Sequence, residues 1–295
     1  MAVAHSVAQG GQGYDPSVVT VGLCIKCSDG IVLACDSLTT FGRGVPVLKY
    51  SNKVHVLEHP KLRTAVAIEA AGATTFFHKF CDRALRNSIE EAAEARGGPL
   101  DILDFCESVC EPVALSMYRE YVFDRAKFLQ APVSSDYSLS LIVGGATRDN
   151  DLRAYFVYQD GITEEIESYG TIGSGAAYAE LFLRFLLRHE KPTSEQAARL
   201  AVYAVKGVEL MDPNVGGPVN IQTLKMDGDH LKIEGITAEA DPQARAHDEM
   251  EKVLSKLADH IEELVEEVDA IDVSEATEEE PKVGAAVVET ESIGA

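Results

Sequence analysis

The chain has 295 residues, of which 46% are hydrophobic and 25% charged, a composition that excludes fibrous and wholly disordered chains. Its 26 Lys+Arg against 48 Asp+Glu give a formal net charge of −22. Acidity of that order repels phosphate backbones and argues against nucleic acid as a partner.

No apolar run approaches the roughly 20 residues needed to cross a bilayer, so no membrane partner is expected. Met1 to Tyr14 has neither a basic n-region nor an apolar h-region, so it does not read as a secretory signal. Six Cys are too few for a disulfide framework, and a reducing cytoplasm is the expected location.

Residues 1–17 contain Gly, Gln and Ser without periodicity and read as a flexible leader. Order is expected from Val18. Val18 to Ser28 and Ile31 to Asp36 are β-rich runs separated by Ser28-Asp29-Gly30, a hairpin signal. Lys53 to Leu57 and Arg63 to Glu69 predict two more strands, with Phe41 to Tyr50 left as a loop. Thr74 to Arg96 carries Phe77, Phe80, Cys81, Ala84, Leu85 and Ile89 at helical spacing, and Gly97-Gly98-Pro99 ends it. Leu100 to Phe128 predicts a second helix. Ser138 to Gly144 and Leu152 to Tyr158 read as strands. Ala176 to Arg188 and Ser194 to Met211 read as helices. Val219 to Met226 and Leu231 to Ile236 predict a closing hairpin across Asp227-Gly228.

From Asp241 onward the pattern changes. Met250, Leu254, Leu257, Ile261, Leu264, Val268 and Ile271 alternate spacings of four and three. That predicts an amphipathic helix over 241–272, packed on its own domain or coiled against a neighbouring subunit. Residues 273–295 are an acidic segment expected to be disordered. The body from 18 to 238 is expected to be one α+β domain, and two antiparallel sheets with helix pairs outside them pack this order of elements economically.

Several constellations are weak. Cys24-x-x-Cys27 lacks a second pair at metal spacing, and in a strand its two side chains point to opposite faces. Cys106 and Cys110 share a helix face and read as core. Gly170-Thr-Ile-Gly-Ser-Gly175 lacks the Lys-Ser/Thr of a phosphate loop. The eight His have no assigned role. No metal or cofactor is expected.

The informative set is Thr20, Asp36, Lys53, Ser174 and Asp212 in their contexts. Val18-Val-Thr-Val-Gly-Leu and Ser28-Asp-Gly-Ile-Val-Leu-Ala-Cys-Asp-Ser37 resemble the first hairpin of proteasome β-type subunits. Ser51-Asn-Lys-Val-His-Val56 resembles the strand that carries their catalytic lysine. Ile172-Gly-Ser-Gly-Ala-Ala-Tyr-Ala179 resembles their Gly-Ser-Gly turn and the helix after it. Asp212-Pro-Asn-Val-Gly-Gly217 resembles their Asp-x-x-Ser-Gly-Gly turn. The motifs occur in the family's order from about Val18 to Ile236, and the bacterial two-ring peptidase relative of the proteasome shares them.

The resemblance implies an N-terminal nucleophile (Ntn) hydrolase: a four-layer αββα sandwich, a threonine nucleophile and a ring assembly. Thr20 would be the nucleophile after cleavage between Val19 and Thr20. Lys53 would lower the hydroxyl pKa, Asp36 would orient Lys53, and Ser174 and Asp212 would support the freed amine. Implied partners are copies of itself or α-type subunits, unfolded polypeptide substrates and an ATP-dependent unfoldase. A non-catalytic ring subunit, or a peptide ligase acting through the same acyl-enzyme, are the alternative readings. The chain departs from the family pattern at Val19 and at Val215, where Gly and Ser are usual, and around Ile68 and Glu69, where a Gly is expected. Counting back from Gly30 without gaps puts Thr20 at the nucleophile position; matching Val18 to Gly22 onto Thr-Thr-Thr-Val-Gly puts Val18 there. The catalytic reading also predicts a three-residue hairpin loop with Gly30 left-handed, pairing Ile31 with Cys27 and Asp36 with Gly22.

Overall fold

The structure, a computed structural model, describes residues 20–41, 47–72, 74–84, 88–130, 139–187 and 191–238. The leader at 1–17, the helix expected at 241–272 and the acidic segment at 273–295 lie outside the described residues.

Two five-stranded antiparallel sheets form the centre. The elements of the first sheet are β1 (Gly22–Lys26), β2 (Ile31–Asp36), β10 (Tyr169–Ile172), β11 (Val219–Asp227) and β12 (His230–Ala238), in the order β10-β1-β2-β11-β12. The second contains β5 (Val54–Leu57), β6 (Val66–Gly72), β7 (Leu139–Ala146), β8 (Leu152–Val157) and β9 (Thr163–Glu165), in sequence order. A separate two-stranded sheet pairs β3 (Leu38–Phe41) with β4 (Val47–Tyr50), which takes the end of the stretch expected as a loop; residues 42–46 lie outside the described residues.

The sheets face each other across Cys24, Ile31, Leu33, Cys35, Val54, Ala67, Ala71, Ile142 and Leu224. Strand alternation turns Leu23 and Ile25 to the opposite face of the first sheet. There α6 (Ala176–Leu186) and α7 (Ser194–Met211) pack on β1, β2, β10 and β11. The outer face of the second sheet packs Val66, Ile68, Leu141, Val143 and Tyr155 against Phe80, Ile89, Phe105, Val109 and Met117. Those come from α1 (Thr74–Arg83), α2 (Ile89–Arg96), α3 (Ile102–Phe105), the turn Cys106–Cys110 and α4 (Glu111–Tyr118), with α5 (Asp124–Leu129) following. The layers are therefore helices, sheet, sheet, helices: the α+β, αββα sandwich expected from the resemblance. β2 is buried at every position because both its faces are covered, and this is why it reads as an apolar run rather than an alternation.

Two expectations are corrected, while the helix expected from Thr74 to Arg96 is described as α1 and α2 on either side of residues 85–87, which lie outside the described residues. The one expected from Leu100 to Phe128 is divided by π-helical turns at Cys106–Cys110 and Arg119–Phe123; each widens the backbone by one residue and shifts the apolar stripe. The second correction concerns the first hairpin. Cys27 N–H donates to Gly30 O (2.8 Å), so the loop is the two residues Ser28 and Asp29. The register is Lys26 with Ile31 and Gly22 with Cys35, one residue from the expected pairing. Gly30 is not left-handed. A Cβ there would lie 2.4 Å from Leu224 O, so glycine serves a close approach to β11. The turn itself is anchored: the Asp29 carboxylate accepts from Ser194 N (2.6 Å) and Ser194 Oγ (2.9 Å) at the start of α7.

Phe80 is fully buried between the second sheet and its helices. Phe80→Ala is expected to destabilise the domain by about 3–5 kcal/mol, through lost transfer energy and the cavity left behind. Urea denaturation measures it.

Candidate active site

Thr20 lies two residues before β1, and both its ends are held. Its hydroxyl donates to Asp36 Oδ1 (2.5 Å) and accepts from Lys53 Nζ. Its backbone N–H donates to Ser174 Oγ (3.4 Å), and its carbonyl accepts from Gly175 N (3.2 Å). The structure thus brings Thr20, Asp36, Lys53 and Ser174 into direct contact, with Asp212 one bond behind Ser174 (Oγ to Oδ2, 3.1 Å). All five residues suggested by the resemblance meet at one place. Thr20, the residue the ungapped count puts at the nucleophile position, makes these contacts; Val18 lies outside the described residues.

Asp36 reaches Thr20 although the observed register opposes Asp36 to Val21. Both residues stand at the ends of their strands, where face alternation no longer governs. Asp36 N–H bonds Val21 O (3.1 Å), and the carboxylate turns back to accept from Val21 N (3.0 Å) beside the hydroxyl. The three-residue loop was therefore unnecessary for this contact.

The Asp36 carboxylate is fully buried and satisfied. Oδ1 accepts from Thr20, Val21 N and Lys53 Nζ (2.7 Å); Oδ2 accepts from Leu38 N (3.2 Å) and Gly216 N (3.3 Å). Lys53 Nζ places its three donors on Thr20 Oγ1, Asp36 Oδ1 and Leu38 O (2.7 Å), the full capacity of an ammonium group. A buried ion pair is tolerated when its remaining lone pairs and protons find partners, and here they do.

The amide end depends on backbone shape. Gly173 has φ +95°, and a Cβ there would fall 2.2 Å from Thr20 O. Only glycine turns the chain so closely beneath Thr20, and the turn then presents Ser174. Asp212 terminates α7 and is itself fixed, since Oδ1 accepts from Asn214 N and Asn214 Nδ2 (both 3.0 Å). Val215, where the family usually has Ser, is buried against Gly175.

Two supporting residues escaped the sequence reading. Lys206 Nζ bonds Glu209 Oε2 (2.5 Å) and Gly217 O (3.2 Å), tying α7 to the loop that delivers Gly216 N to Asp36. Their spacing of three on a helix was the available signal. The third omission is Glu69, fully buried in β6.

The cysteines are inert by position. Burial pushes the Cys24 and Cys35 thiols well up and Cys27 to about 12, with Asp29 adding to the last. A thiolate is the form that binds metal or attacks, so these groups are suited to packing. Among the described residues no group of His, Cys, Asp and Glu is arranged to hold a metal ion. No described helix is long and apolar enough to cross a membrane.

The proteasome subunit family model matches residues 20–224, more than two-thirds of the chain. The chain belongs to the proteasome subunit family. Its match begins at Thr20, the residue that carries the contacts above. No curated protein matches the chain. Among solved structures, this proteasome-family chain is similar to Anbu (ancestral beta-subunit) from Yersinia bercovieri, with TM-score 0.64 and 16% identity, covering 81% of this chain and 96% of that one. Anbu from Pseudomonas aeruginosa, described as a helical assembly, has TM-score 0.61 and 20% identity over 83% and 96% of the two chains. Anbu from Hyphomicrobium sp. strain MC1 has TM-score 0.60 and 15% identity over 81% and 97%. At these identities the likeness establishes the shared Ntn fold.

Asp36→Ala leaves Lys53 buried without its counter-ion. It is expected to lower stability by about 3–5 kcal/mol, read as a shift of the urea midpoint. Glu195→Ala, which breaks an exposed pair with Arg199, is expected to change stability by no more than about 0.5 kcal/mol.

Proposed function

We propose that the chain is a threonine-type endopeptidase subunit that assembles with copies of itself and hydrolyses unfolded polypeptides. The observation that carries this reading is the double hold on Thr20: a lysine–aspartate pair at the hydroxyl, a serine–aspartate pair at the nitrogen.

Each residue has a role that follows from its chemistry. A threonine hydroxyl is a weak nucleophile and needs a base beside it. Cleavage of the Val19–Thr20 bond frees an α-amine with a pKa of about 8, and the amine takes the hydroxyl proton. Oγ1 attacks the substrate carbonyl carbon and forms a tetrahedral intermediate. Its collapse breaks the C–N bond, the α-ammonium gives its proton to the leaving amine, and an ester on Thr20 remains. Water, deprotonated by the same α-amine, hydrolyses the ester and returns Thr20. Lys53 lowers the cost of developing negative charge on Oγ1 throughout. Asp36 keeps Lys53 charged and aimed. Ser174, backed by Asp212, holds the α-nitrogen where it reaches the hydroxyl.

Assembly follows by analogy: the Pseudomonas aeruginosa Anbu complex is described as a helical assembly. An α-type partner, an ATP-dependent unfoldase and a cytoplasmic location belong to the same reading.

Thr20→Ala and Lys53→Ala are each expected to lower peptide hydrolysis by about 10³-fold or more, because the pair acts as a unit with the amine. Thr20→Ser keeps a hydroxyl at the same place and should retain measurable turnover. Turnover undiminished in both alanine variants would remove the mechanism.

A further inference from the structure

Thr20 and Lys53 come from different sheets. Thr20 leads into β1 of the first sheet, and Lys53 precedes β5 of the second. Their contact requires the two sheets to stack at one offset. The residues between the sheets are otherwise mainly apolar, and apolar packing is non-directional. A hydrogen bond between the sheets sets position more narrowly.

Glu69 makes that bond. It lies on β6 opposite Val54 and Ile142, on the face turned toward the first sheet. Its Oε1 accepts from Leu23 N (3.2 Å), three residues after Thr20. Gly22 leaves the space: a Cβ there would stand 2.4 Å from Oε1. On the other side, Ala70 N, the next residue of β6, bonds Lys53 O (3.0 Å). The linkage closes on itself, from Thr20 along β1 to Leu23, across to Glu69, one residue to Ala70, then to Lys53 and back to the Thr20 hydroxyl.

We propose that Glu69 is a positioning residue that seats Thr20 against Lys53 by fixing β1 to β6. This inference deepens the peptidase reading, and its role for turnover rests on that reading. Burial lifts the Glu69 carboxyl well above the usual carboxylate range, which favours its neutral form. Its Oε2 has no hydrogen-bond partner among the described residues. An unsatisfied ionised oxygen here would cost far more than a neutral one. Because the bond to Leu23 needs an acceptor and no charge, glutamine can replace it.

Crystal structures of the full-length wild type, Glu69→Gln and Glu69→Ala test the proposal by a distance. Wild type and Glu69→Gln are expected to keep Thr20 Oγ1 in hydrogen-bond contact with Lys53 Nζ. Glu69→Ala is expected to open it beyond about 3.5 Å. A folded Glu69→Ala with the contact intact overturns the proposal. Where Glu69→Ala yields no folded protein, Glu69→Gln decides alone: a folded chain with the contact closed supports the proposal, and a misfolded chain or an open contact overturns it. In a preparation with peptidase activity, Glu69→Ala should also lower kcat by on the order of 10- to 100-fold with KM held, and Glu69→Gln should restore it. An inactive wild type would count against the peptidase reading while leaving the distance test in force.

Discussion

The buried contact among Thr20, Lys53 and Asp36 is the constraint around which the rest of the structure is arranged. A lysine and an aspartate removed from water are costly unless every donor and acceptor is used. The fold meets that condition from four directions. The residue before β1 supplies Val21 N, the start of β3 supplies Leu38 N and O, the loop after α7 supplies Gly216 N, and Thr20 supplies its hydroxyl. Removing any of these leaves a charged group short of partners. That dependence explains why Lys206 and Glu209, which touch no member of the trio, still matter to it.

The two-sheet architecture explains why such a site can exist. Each sheet brings one half: the first carries Asp36 at the end of β2 and Thr20 at the entry to neighbouring β1, the second carries Lys53 at the mouth of β5. The Gly173 turn then closes over the backbone of Thr20 and presents Ser174 to its nitrogen. This double hold is the observation on which the proposed threonine mechanism rests.

Much of the fold was legible in the residues. β2 and α7 have the bounds their sequences predict, because one is a short apolar run ended by Asp36 and the other opens on a capping box between Thr193 and Gln196. The five site residues were legible only through the resemblance; nothing in the spacing of Thr20, Asp36, Lys53, Ser174 and Asp212 says that they meet. Three things were hidden. The hairpin register turned on whether Gly30 was needed for its φ or for its nearness to Leu224 O, and a sequence does not tell these apart. The π-helical turns at Cys106–Cys110 and Arg119–Phe123 arise within a continuous helical pattern. Glu69 enters the sequence reading only as the last residue of an expected strand, and the missing side chain at Gly22 is what lets its carboxyl into the core.

The central claim is that Thr20 acts through a free α-amine. Intact mass and N-terminal sequencing of the purified, assembled protein test it most directly. The account predicts a chain that begins at Thr20, with Met1 to Val19 removed. A fully assembled chain that still carries Val19 joined to Thr20 would contradict it, because the base that the threonine needs would not exist.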